Sequence, residues 1–322
     1  MTHKRIALVT STCFPEDDWA DRDSPLLGAC LGDKGYEVDT VAWDAPGVPW
    51  HSYDLVVLQS PWIMWRKLAA FGAWLESVGR LETVLANPYE VVVGGMSKFY
   101  LPRVEREGAA TIPTAIFRPG DQVGAEAGEL LDRAEADFGA RAVVVKPISS
   151  GGALGAVRIT APAELAAKLR DFAGEGTTVC VQPYIPSIDT AGEVGAIMID
   201  GRLSHVITKD AILQEGTSRS NFHPNARTGF DEHDTDIDDI YTAYKAYLAT
   251  VEAIPVSVRL DFLRHPRSGR LLLLEIESVA PVKFLDLYPP AVESYAEALV
   301  GLLERTERQR GLTSGAGAES VS

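Results

Sequence analysis

Short apolar segments with the character of strands alternate with helix-period segments in the first 90 residues of this chain. Residues 6–10, 38–43, 55–58 and 84–86 are apolar enough to be strands buried on both faces, and a helix-period segment spans about residues 66–78. Strands of this kind are typical of parallel sheets that helices cover on both sides. The sequence therefore predicts an α/β fold that begins with a small doubly wound unit.

The pattern changes after residue 95. A helix is expected near residues 97–107, followed by strands at 142–146 and 156–160 that we expect to be antiparallel, with helices on one face. Asp200-Gly201 predicts a tight hairpin between the next two strands. The polar stretch of residues 210–234 is too long for a simple connection, which predicts a mobile active-site cover. These changes predict an N-terminal α/β domain (1–95), a small lobe (96–181), a large lobe (182–308) and a disordered tail (309–322).

Composition narrows the possible partners. The formal net charge of -15 argues against a non-specific nucleic-acid or anionic-membrane binder, because both surfaces would repel the protein. No apolar stretch is long enough to cross a bilayer, and the three cysteines lack metal-ligand spacing. We therefore expect a soluble, cytoplasmic protein.

Four charged residues share the faces of two neighbouring predicted strands. Arg259 and Asp261 lie on one face of the first strand, and Glu275 and Glu277 lie on one face of the second, because side chains alternate with a period of two. A hairpin can bring these faces together. The opposite faces carry apolar residues that we expect to define the core side: Leu260, Phe262, Leu274 and Ile276.

Three converging carboxylates need a counter-charge. Half-buried like charges repel each other, and a divalent cation resolves the conflict. Oxygen ligands favour Mg²⁺ or Mn²⁺, so Asp261, Glu275 and Glu277 are candidate metal ligands. The alternative is a solvent-facing polar side of an amphipathic hairpin.

A lysine at a strand end precedes a flexible turn. Lys146 is followed by Ser149, Ser150, Gly151 and Gly152, whose backbone N–H groups can approach phosphate oxygens. The alternative is a β-hairpin with a surface lysine, and the local sequence leaves both open.

Other cations have weaker local support. Lys98 and Lys209 lie in no specific pattern and would ordinarily be solvated. Arg219 and Asn221 place a cation and an amide in the long polar loop, where they can meet anionic oxygens on closure or remain in solvent.

The order of these features resembles that of the ATP-grasp superfamily, and the resemblance covers nearly the whole chain. It is most similar to the ribosomal-protein glutamate ligases and the ATP-grasp ligases of the D-cycloserine type. The resemblance implies an N-terminal α/β domain before a two-lobed nucleotide clamp, with ATP and Mg²⁺ or Mn²⁺ as cofactors.

The resemblance also implies roles for individual residues. Lys98 and Lys146 match the lysines that flank the nucleotide, and Lys209 matches the lysine at the terminal phosphate. Arg259 corresponds to the arginine that stabilises the acyl-phosphate and tetrahedral intermediates. The remaining matches are the adenine-binding hinge Gln182, Pro183, Tyr184 and Ile185, the ribose-binding Glu193 with Asp189 as a second candidate, and an Arg-Ser-Asn motif containing Arg219 and Asn221.

The chain departs from the family pattern in three places. Glu277 stands where an asparagine is common, although the cycloserine-type enzymes share this carboxylate. Ala280 stands where those enzymes carry a glutamate, and residues 59–63 read Gln-Ser-Pro-Trp-Ile where they carry Arg-Ser-Thr-Trp-Asp. These departures concern the substrate.

The resemblance implies a ligase that joins a carboxylate to an amine, with amino acids as the expected substrates. The carboxylate would attack the terminal phosphoryl group of ATP, and the amine would displace phosphate from the acyl phosphate. The alternatives are an intramolecular cyclisation, a small-molecule kinase and a nucleotide-binding regulatory protein. Related enzymes are often dimers, so the resemblance includes a homodimer.

Overall fold

The computed structural model describes residues 4–15, 19–122, 126–210, 227–228 and 236–316. Three sheets form its framework, and each occupies its own stretch of the sequence. Among the described residues, none of the helices has the length and apolarity that a membrane span requires. The expected α/β fold class is confirmed.

The N-terminal sheet is parallel and has the strand order β2-β1-β3-β4. Alternate residues of β1 face opposite sides: Ile6 and Leu8 contact the apolar cluster that includes the first helix, whereas Ala7 and Val9 contact the cluster that includes the second. This is the doubly wound arrangement expected from the sequence. Its elements are β1 (Arg5–Thr10), α1 (Asp23–Asp33), β2 (Glu37–Ala42), β3 (Leu55–Leu58), α2 (Leu68–Gly79), β4 (Val84–Ala86) and α3 (Tyr89–Gly95), with 3-10 helices at Trp50–Ser52 and Trp62–Arg66.

The second sheet is antiparallel and has the strand order β5-β8-β6-β7. Leu131 and Leu169, from the two long helices of this region, share one apolar cluster with the strands, as the helix-period spacing predicts. The elements are a 3-10 helix (Lys98–Tyr100), α4 (Leu101–Arg106), β5 (Ala115–Phe117), α5 (Glu126–Phe138), β6 (Val143–Pro147), β7 (Val157–Ile159), α6 (Pro162–Gly174) and β8 (Val179–Pro183).

The third sheet carries most of the charged residues singled out above and has the order β11-β10-β9-β12-β13. The expected hairpin joins its first two strands, and both turn residues have positive φ, Asp200 at 47° and Gly201 at 79°. Two positive φ values are what a type I′ turn requires. The elements are α7 (Ile188–Ala191), β9 (Glu193–Ile199), β10 (Arg202–Lys209), β11 (Arg227–Thr228), α8 (Asp236–Leu248), β12 (Ser257–Arg264) and β13 (Leu271–Glu277).

A β-bulge interrupts the pairing of β12 with β13. Asp261 pairs with Glu275, but the next residue, Phe262, pairs with Leu273, so Leu274 is the extra residue. Leu274 therefore joins a different apolar cluster from Phe262 and lines the cleft described below. The expectation that Leu274 faces the core side was wrong, because strict alternation fails at a bulge.

The last helix, α9 (Pro290–Ala316), returns to the N-terminal sheet. Tyr295 and Leu299 are buried in the same cluster as α1 and β1, and Arg310 donates a hydrogen bond to the carbonyl oxygen of Glu82. The disordered tail predicted from residue 309 is wrong for residues 309–316, which continue this anchored helix. Residues 317–322 lie outside the described residues.

Candidate active site

A cleft that opens to solvent lies between the second and third sheets. The Gly-rich turn after β6 and the chain after β8 line it from one side, and β9, β10, β12 and β13 line it from the other. One end is apolar, because Ile185, Leu263 and Leu274 line the cleft and belong to the same apolar cluster. The other end holds the charged side chains.

The β12–β13 hairpin places three carboxylates together. Arg259 lies opposite Glu277, and Asp261 lies opposite Glu275. One carboxylate oxygen from each of Asp261, Glu275 and Glu277 lies within 4.8 Å of the others. The convergence that the period of two predicts is present, although the bulge follows directly.

Glu275 is the meeting point of two lysines. The Nζ atoms of Lys98 and Lys146 lie 3.3 and 3.4 Å from the same Glu275 oxygen, and all three side chains are at most 16% exposed. Burial favours the neutral form of this carboxyl, but the two ammonium groups outweigh it and lower the pKa of Glu275 well below its usual range. Glu275 is therefore ionised at neutral pH.

Lys209 belongs to a second charged group on the neighbouring strands. It forms an ion pair with Glu193 on β9 and lies 3.4 Å from Asp261 on β12. Burial raises the pKa of Glu193, and the attraction of Lys209 offsets that effect in part. Glu193 lines the cleft, as a residue that holds a ligand hydroxyl must.

Arg259 is held in place by Asp261 and the chain after β13. Its Nε and Nη2 atoms donate to the two oxygens of the fully buried Asp261 at 2.7 and 2.8 Å, and Nη1 donates to the carbonyl oxygen of Val282 at 3.1 Å. Burial opposes ionisation of Asp261, but Arg259 and Lys209 outweigh it and lower the pKa of this carboxyl. The guanidinium keeps N–H groups beyond these three bonds, because arginine has five.

Glu277 is the least compensated carboxyl of the group. Burial and repulsion by Glu275 raise its pKa to about 7, and Arg259 approaches it to no closer than 4.0 Å. A carboxylate kept close to neutralisation by a neighbouring carboxylate is a site where an added cation is stabilising.

The Gly-rich turn after β6 contacts Lys98. The Nζ atom of Lys98 donates to the carbonyl oxygen of Ser150 at 2.6 Å, and Ser150, Gly151 and Gly152 line the cleft. Gly152 has φ of 58°, a left-handed value that favours glycine. Ser149 is outside the cleft lining.

The predicted hinge residues Gln182, Pro183, Tyr184 and Ile185 all line the cleft. The Tyr184 hydroxyl donates to Asp189, and the Arg158 guanidinium lies 3.7 Å from the Tyr184 ring centre. Asp189 is therefore a partner of Tyr184 and does not line the cleft, whereas Glu193 does. Arg219 and Asn221, with nearly all of the predicted cover loop, lie outside the described residues.

The segment after β13 contributes residues that the sequence did not predict at the site. Val282 and Phe284 line the cleft, and the buried Lys283 donates to the side-chain oxygen of Gln59 at 2.8 Å. The backbone N–H groups of Lys283 and Leu285 donate to Asp23. A buried lysine and aspartate brought together from distant parts of the chain leave no local sequence signal.

Several known proteins are similar to this chain. A family model described as the D-cycloserine synthetase DcsG, N-terminal domain, matches residues 6–87. The cycloserine biosynthesis protein DcsG of Streptomyces lavendulae is 30% identical over 289 residues, covering 87% of this chain and 93% of that protein. The crystal structure of D-cycloserine synthetase DcsG superposes with a TM-score of 0.82 at 28% identity, over 94% of this chain and 99% of that one.

A more distant structure shares the fold. The D-alanine–D-alanine ligase of Bacillus anthracis, solved in complex with ATP, superposes with a TM-score of 0.64 at 16% identity, over 95% of this chain and 99% of that one. At this identity the likeness supports the fold alone.

Proposed function

We propose the following function from the premise that this chain belongs to the family of the cycloserine biosynthesis protein DcsG, within the ATP-grasp ligases. It is an ATP-dependent ligase that forms an amide bond on a small, amino-acid-like substrate. The observation that carries the proposal is the cleft itself, which has an apolar end beside a hinge and an opposite end where three lysines and three carboxylates meet.

The cleft is suited to a nucleotide. The Tyr184 N–H already donates to the carbonyl oxygen of Ala142, so the Pro183 carbonyl and the Ile185 N–H would read the edge of an adenine. The Glu193 carboxylate can accept hydrogen bonds from ribose hydroxyls. Lys98, Lys146 and Lys209 lie toward the charged end, where they would balance the phosphate charge. Asp189 is a weaker candidate for the ribose, since it is engaged with Tyr184.

The carboxylates fit a divalent metal. Asp261, Glu275 and Glu277 offer oxygen ligands within 4.8 Å of one another, and the raised pKa of Glu277 shows that the protein's own cations leave this carboxyl poorly compensated. Hard cations such as Mg²⁺ or Mn²⁺ prefer oxygen ligands, so we propose Mg²⁺ at these residues. Such an ion would supply charge stabilisation at the transferred phosphoryl group.

The residues of the charged end suit the chemistry of acyl phosphate formation. When a substrate carboxylate attacks the terminal phosphoryl group of ATP, ADP leaves and negative charge spreads over the oxygens of the transferred group, where Lys209 and Arg259 would stabilise it. An amine then attacks the acyl carbon and phosphate leaves, so Arg259 would next face the tetrahedral intermediate. Arg219 and Asn221 remain predicted contributors from the cover loop.

The experiment that tests this function is ADP and phosphate release with ATP and Mg²⁺ over a panel of D- and L-amino acids, singly and in pairs. We expect release that requires a substrate and collapses in Glu275→Gln. Hydroxylamine should trap the acyl phosphate as a hydroxamate. Tight ATP binding without substrate-dependent release would favour a regulatory protein, and a stable phosphorylated product would identify a kinase.

Intramolecular ring closure is a second candidate, favoured by the match of residues 6–87 to the N-terminal domain of a cycloserine synthetase. The mass of the product separates the two reactions. Ring closure gives one substrate less one water, whereas ligation gives the sum of two substrates less one water. Cytoplasmic location and a homodimer remain predictions of the sequence.

A further inference from the structure

A second cavity lies on the second sheet, away from the charged end of the cleft, and has a volume of about 310 Å³. It is enclosed between α5 and the strands β5, β6 and β8. A cavity of this size can hold a small organic molecule. Gln182 and Pro183, at the end of β8, line both this cavity and the cleft. The two spaces therefore share a wall.

The floor of the cavity is apolar. Leu130 and Ala134 of α5 line it together with Val143 and Val181 of the sheet, and all four belong to one apolar cluster. Ala134, Val143 and Val181 are each 1% exposed, so they are packed in position from behind. The floor therefore offers a firm apolar surface to a ligand.

The polar groups near the floor are already hydrogen-bonded. The Thr114 hydroxyl donates to the carbonyl oxygen of Ile112 and accepts from the Gln182 side-chain amide, both at 2.9 Å. At the end of α5, the Arg267 guanidinium donates to the carbonyl oxygen of Asp137. The groups left to bind a ligand through charge are therefore the side chains at the rim.

The rim of the cavity carries negative charge that the protein leaves uncompensated. Glu105 of α4 and Asp137 of α5 are exposed lining residues, and neither carboxylate has an ion-pair partner within the described part of the chain. Arg133 also lines the cavity, but its guanidinium pairs with Glu129 at 3.0 Å. A cation at the rim would be attracted by two carboxylates, whereas an anion would be repelled by them.

We propose that this cavity is a second ligand site, which binds a small organic cation with an apolar body, such as an amine on an aromatic group. The apolar body occupies the floor, and the ammonium group lies at the rim with Glu105 and Asp137. The inference goes beyond the proposed function, because binding at this site requires neither ATP nor ligation.

Occupancy of the cavity is coupled to the cleft through a shared backbone. Pro113 and Thr114 line the cavity, and the N–H of the preceding Ile112 donates to the carbonyl oxygen of Leu273 at 2.9 Å. Leu273 stands two residues before Glu275 on β13. A ligand that holds this wall in one position changes the affinity of the cleft for nucleotide, and nucleotide changes the affinity for the ligand by the same factor.

The first test compares three probes of similar shape in NMR titrations of the full chain at pH 7. Phenethylamine is a cation, phenethyl alcohol is neutral and phenylacetate is an anion. We expect phenethylamine to bind with a Kd of about 1 mM or below. The alcohol should bind about threefold to fivefold more weakly, because partly exposed ion pairs contribute modestly, and phenylacetate should bind most weakly.

Two results of these titrations would overturn the proposal. Alcohol or phenylacetate binding as tightly as the amine would refute a site for cations. Absence of saturable phenethylamine binding up to about 10 mM would refute the ligand site itself.

Variants then place the probe in the cavity. Glu105→Gln combined with Asp137→Asn should remove the preference for the amine over the alcohol, because both rim charges are lost. Glu107→Gln is the matched control, since Glu107 is an exposed carboxylate just after α4 that does not line the cavity. Ala134→Leu fills the floor and should weaken both probes by at least about fivefold.

The charge variants decide the assignment even if Ala134→Leu fails to fold, because Glu105 and Asp137 are exposed. A preference for the amine that survives in the double variant would overturn the proposal. An equal loss of preference in Glu107→Gln would also overturn it, because the effect would then come from the general negative charge of the protein.

A non-hydrolysable ATP analogue with Mg²⁺ tests the coupling. At saturating analogue, phenethylamine should still bind, with its Kd changed by at least about threefold, and the Kd of the analogue should change by the same factor at saturating amine. Complete displacement of the amine would place it in the cleft and overturn the proposal, and an unchanged Kd would refute the coupling. Absence of substrate-dependent ADP release would refute the proposed function without affecting these binding results.

Discussion

The two ends of the β12–β13 hairpin use the same kinds of charged residue for different results. At the turn end, which is remote from the charged end of the cleft, Arg264 pairs with Asp236, and Arg270 pairs with Asp239. At the cleft end, Glu275 contacts two lysines, while Arg259, at 4.0 Å, is the ion-pair partner of Glu277 among the described residues. Each of these two remote carboxylates pairs with an arginine, whereas the cleft charges are crowded and unevenly compensated.

Solvent access differs in the same direction. The Arg270 side chain is 69% exposed, so the charge that pairs with Asp239 remains largely hydrated. Asp261 at the cleft end is fully buried. A cluster that is buried and mutually repulsive is expensive to maintain unless a ligand completes it, which is why such clusters mark functional sites. The remote ion pairs do not depend on a bound ligand in this way.

The largest expected effect is the loss of activity in Glu275→Gln. This change keeps the size of the side chain but removes the charge that Lys98 and Lys146 share and one candidate metal ligand. We expect kcat for ADP release to fall by roughly 10²–10³-fold. Arg270→Gln, on the same hairpin, is the control and should stay within about twofold of wild type. Equal losses in both variants would erase the distinction between the two ends.

A smaller effect, on stability, is expected for Asp239→Asn. Asp239 accepts hydrogen bonds from Arg270 and from the backbone N–H of Leu271, and these outweigh burial and lower its pKa. We expect the free energy of unfolding in urea at pH 7 to fall by about 1–3 kcal/mol, with activity retained.

The effect of Asp239→Asn on stability should depend on pH in a defined direction. A lowered pKa contributes stability that is present above the unfolded value of about 3.9 and is lost as pH falls through the folded value. The difference in the free energy of unfolding between wild type and Asp239→Asn should therefore become smaller as the pH falls. A constant difference would mean that the charge of Asp239 is not its cause.

Glu277→Gln should increase the stability of the metal-free protein, which is the opposite of the effect expected for Asp239→Asn. The pKa of Glu277 is raised to about 7, so its contribution to stability is fully present below the unfolded value and is lost as pH rises through about 7. With a chelator present, we expect the variant to be more stable than wild type at pH 8 by about 1 kcal/mol and to gain little at pH 5.

Added Mg²⁺ provides the converse test of the same residue. A ligand that binds the native state stabilises it, so millimolar Mg²⁺ should raise the melting temperature of wild type more than that of Glu277→Gln. Thermal unfolding with and without Mg²⁺ measures this difference. Equal shifts in the two proteins would remove Glu277 from the candidate metal ligands.

The two ends also differ in how far the sequence predicts them. The cleft end was predictable because Arg259, Asp261, Glu275 and Glu277 stand at spacings of two on apolar strands, a pattern that stays within one hairpin. The remote end was not, because Asp236 and Asp239 approach the hairpin from α8, and helix position relative to a sheet is set by packing that no local pattern encodes.

The misses elsewhere have similar causes. The bulge at Leu274 depends on how β13 pairs with β12. The close approach of Trp65 to Gly151 joins two residues that are far apart in the chain. The continuation of α9 from residue 309 to Ala316 was missed because Gly311 and several of the residues after it have weak helix propensity. Asp200-Gly201 succeeded because a tight turn is determined by its own two residues.

The smallest expected effect is the salt dependence of the pairs themselves. The coupling energy between Arg270 and Asp239, measured by a double-mutant cycle with Arg270→Gln and Asp239→Asn, should fall by a few tenths of a kcal/mol between about 50 and 500 mM NaCl, since salt screens exposed charges. The corresponding cycle for Lys146 and Glu275, whose side chains are 10% and 16% exposed, should change less, because mobile ions do not reach a buried pair. A larger salt effect on the cleft pair would show that solvent enters the cleft freely, and it would weaken the argument that burial makes this end of the hairpin dependent on a ligand.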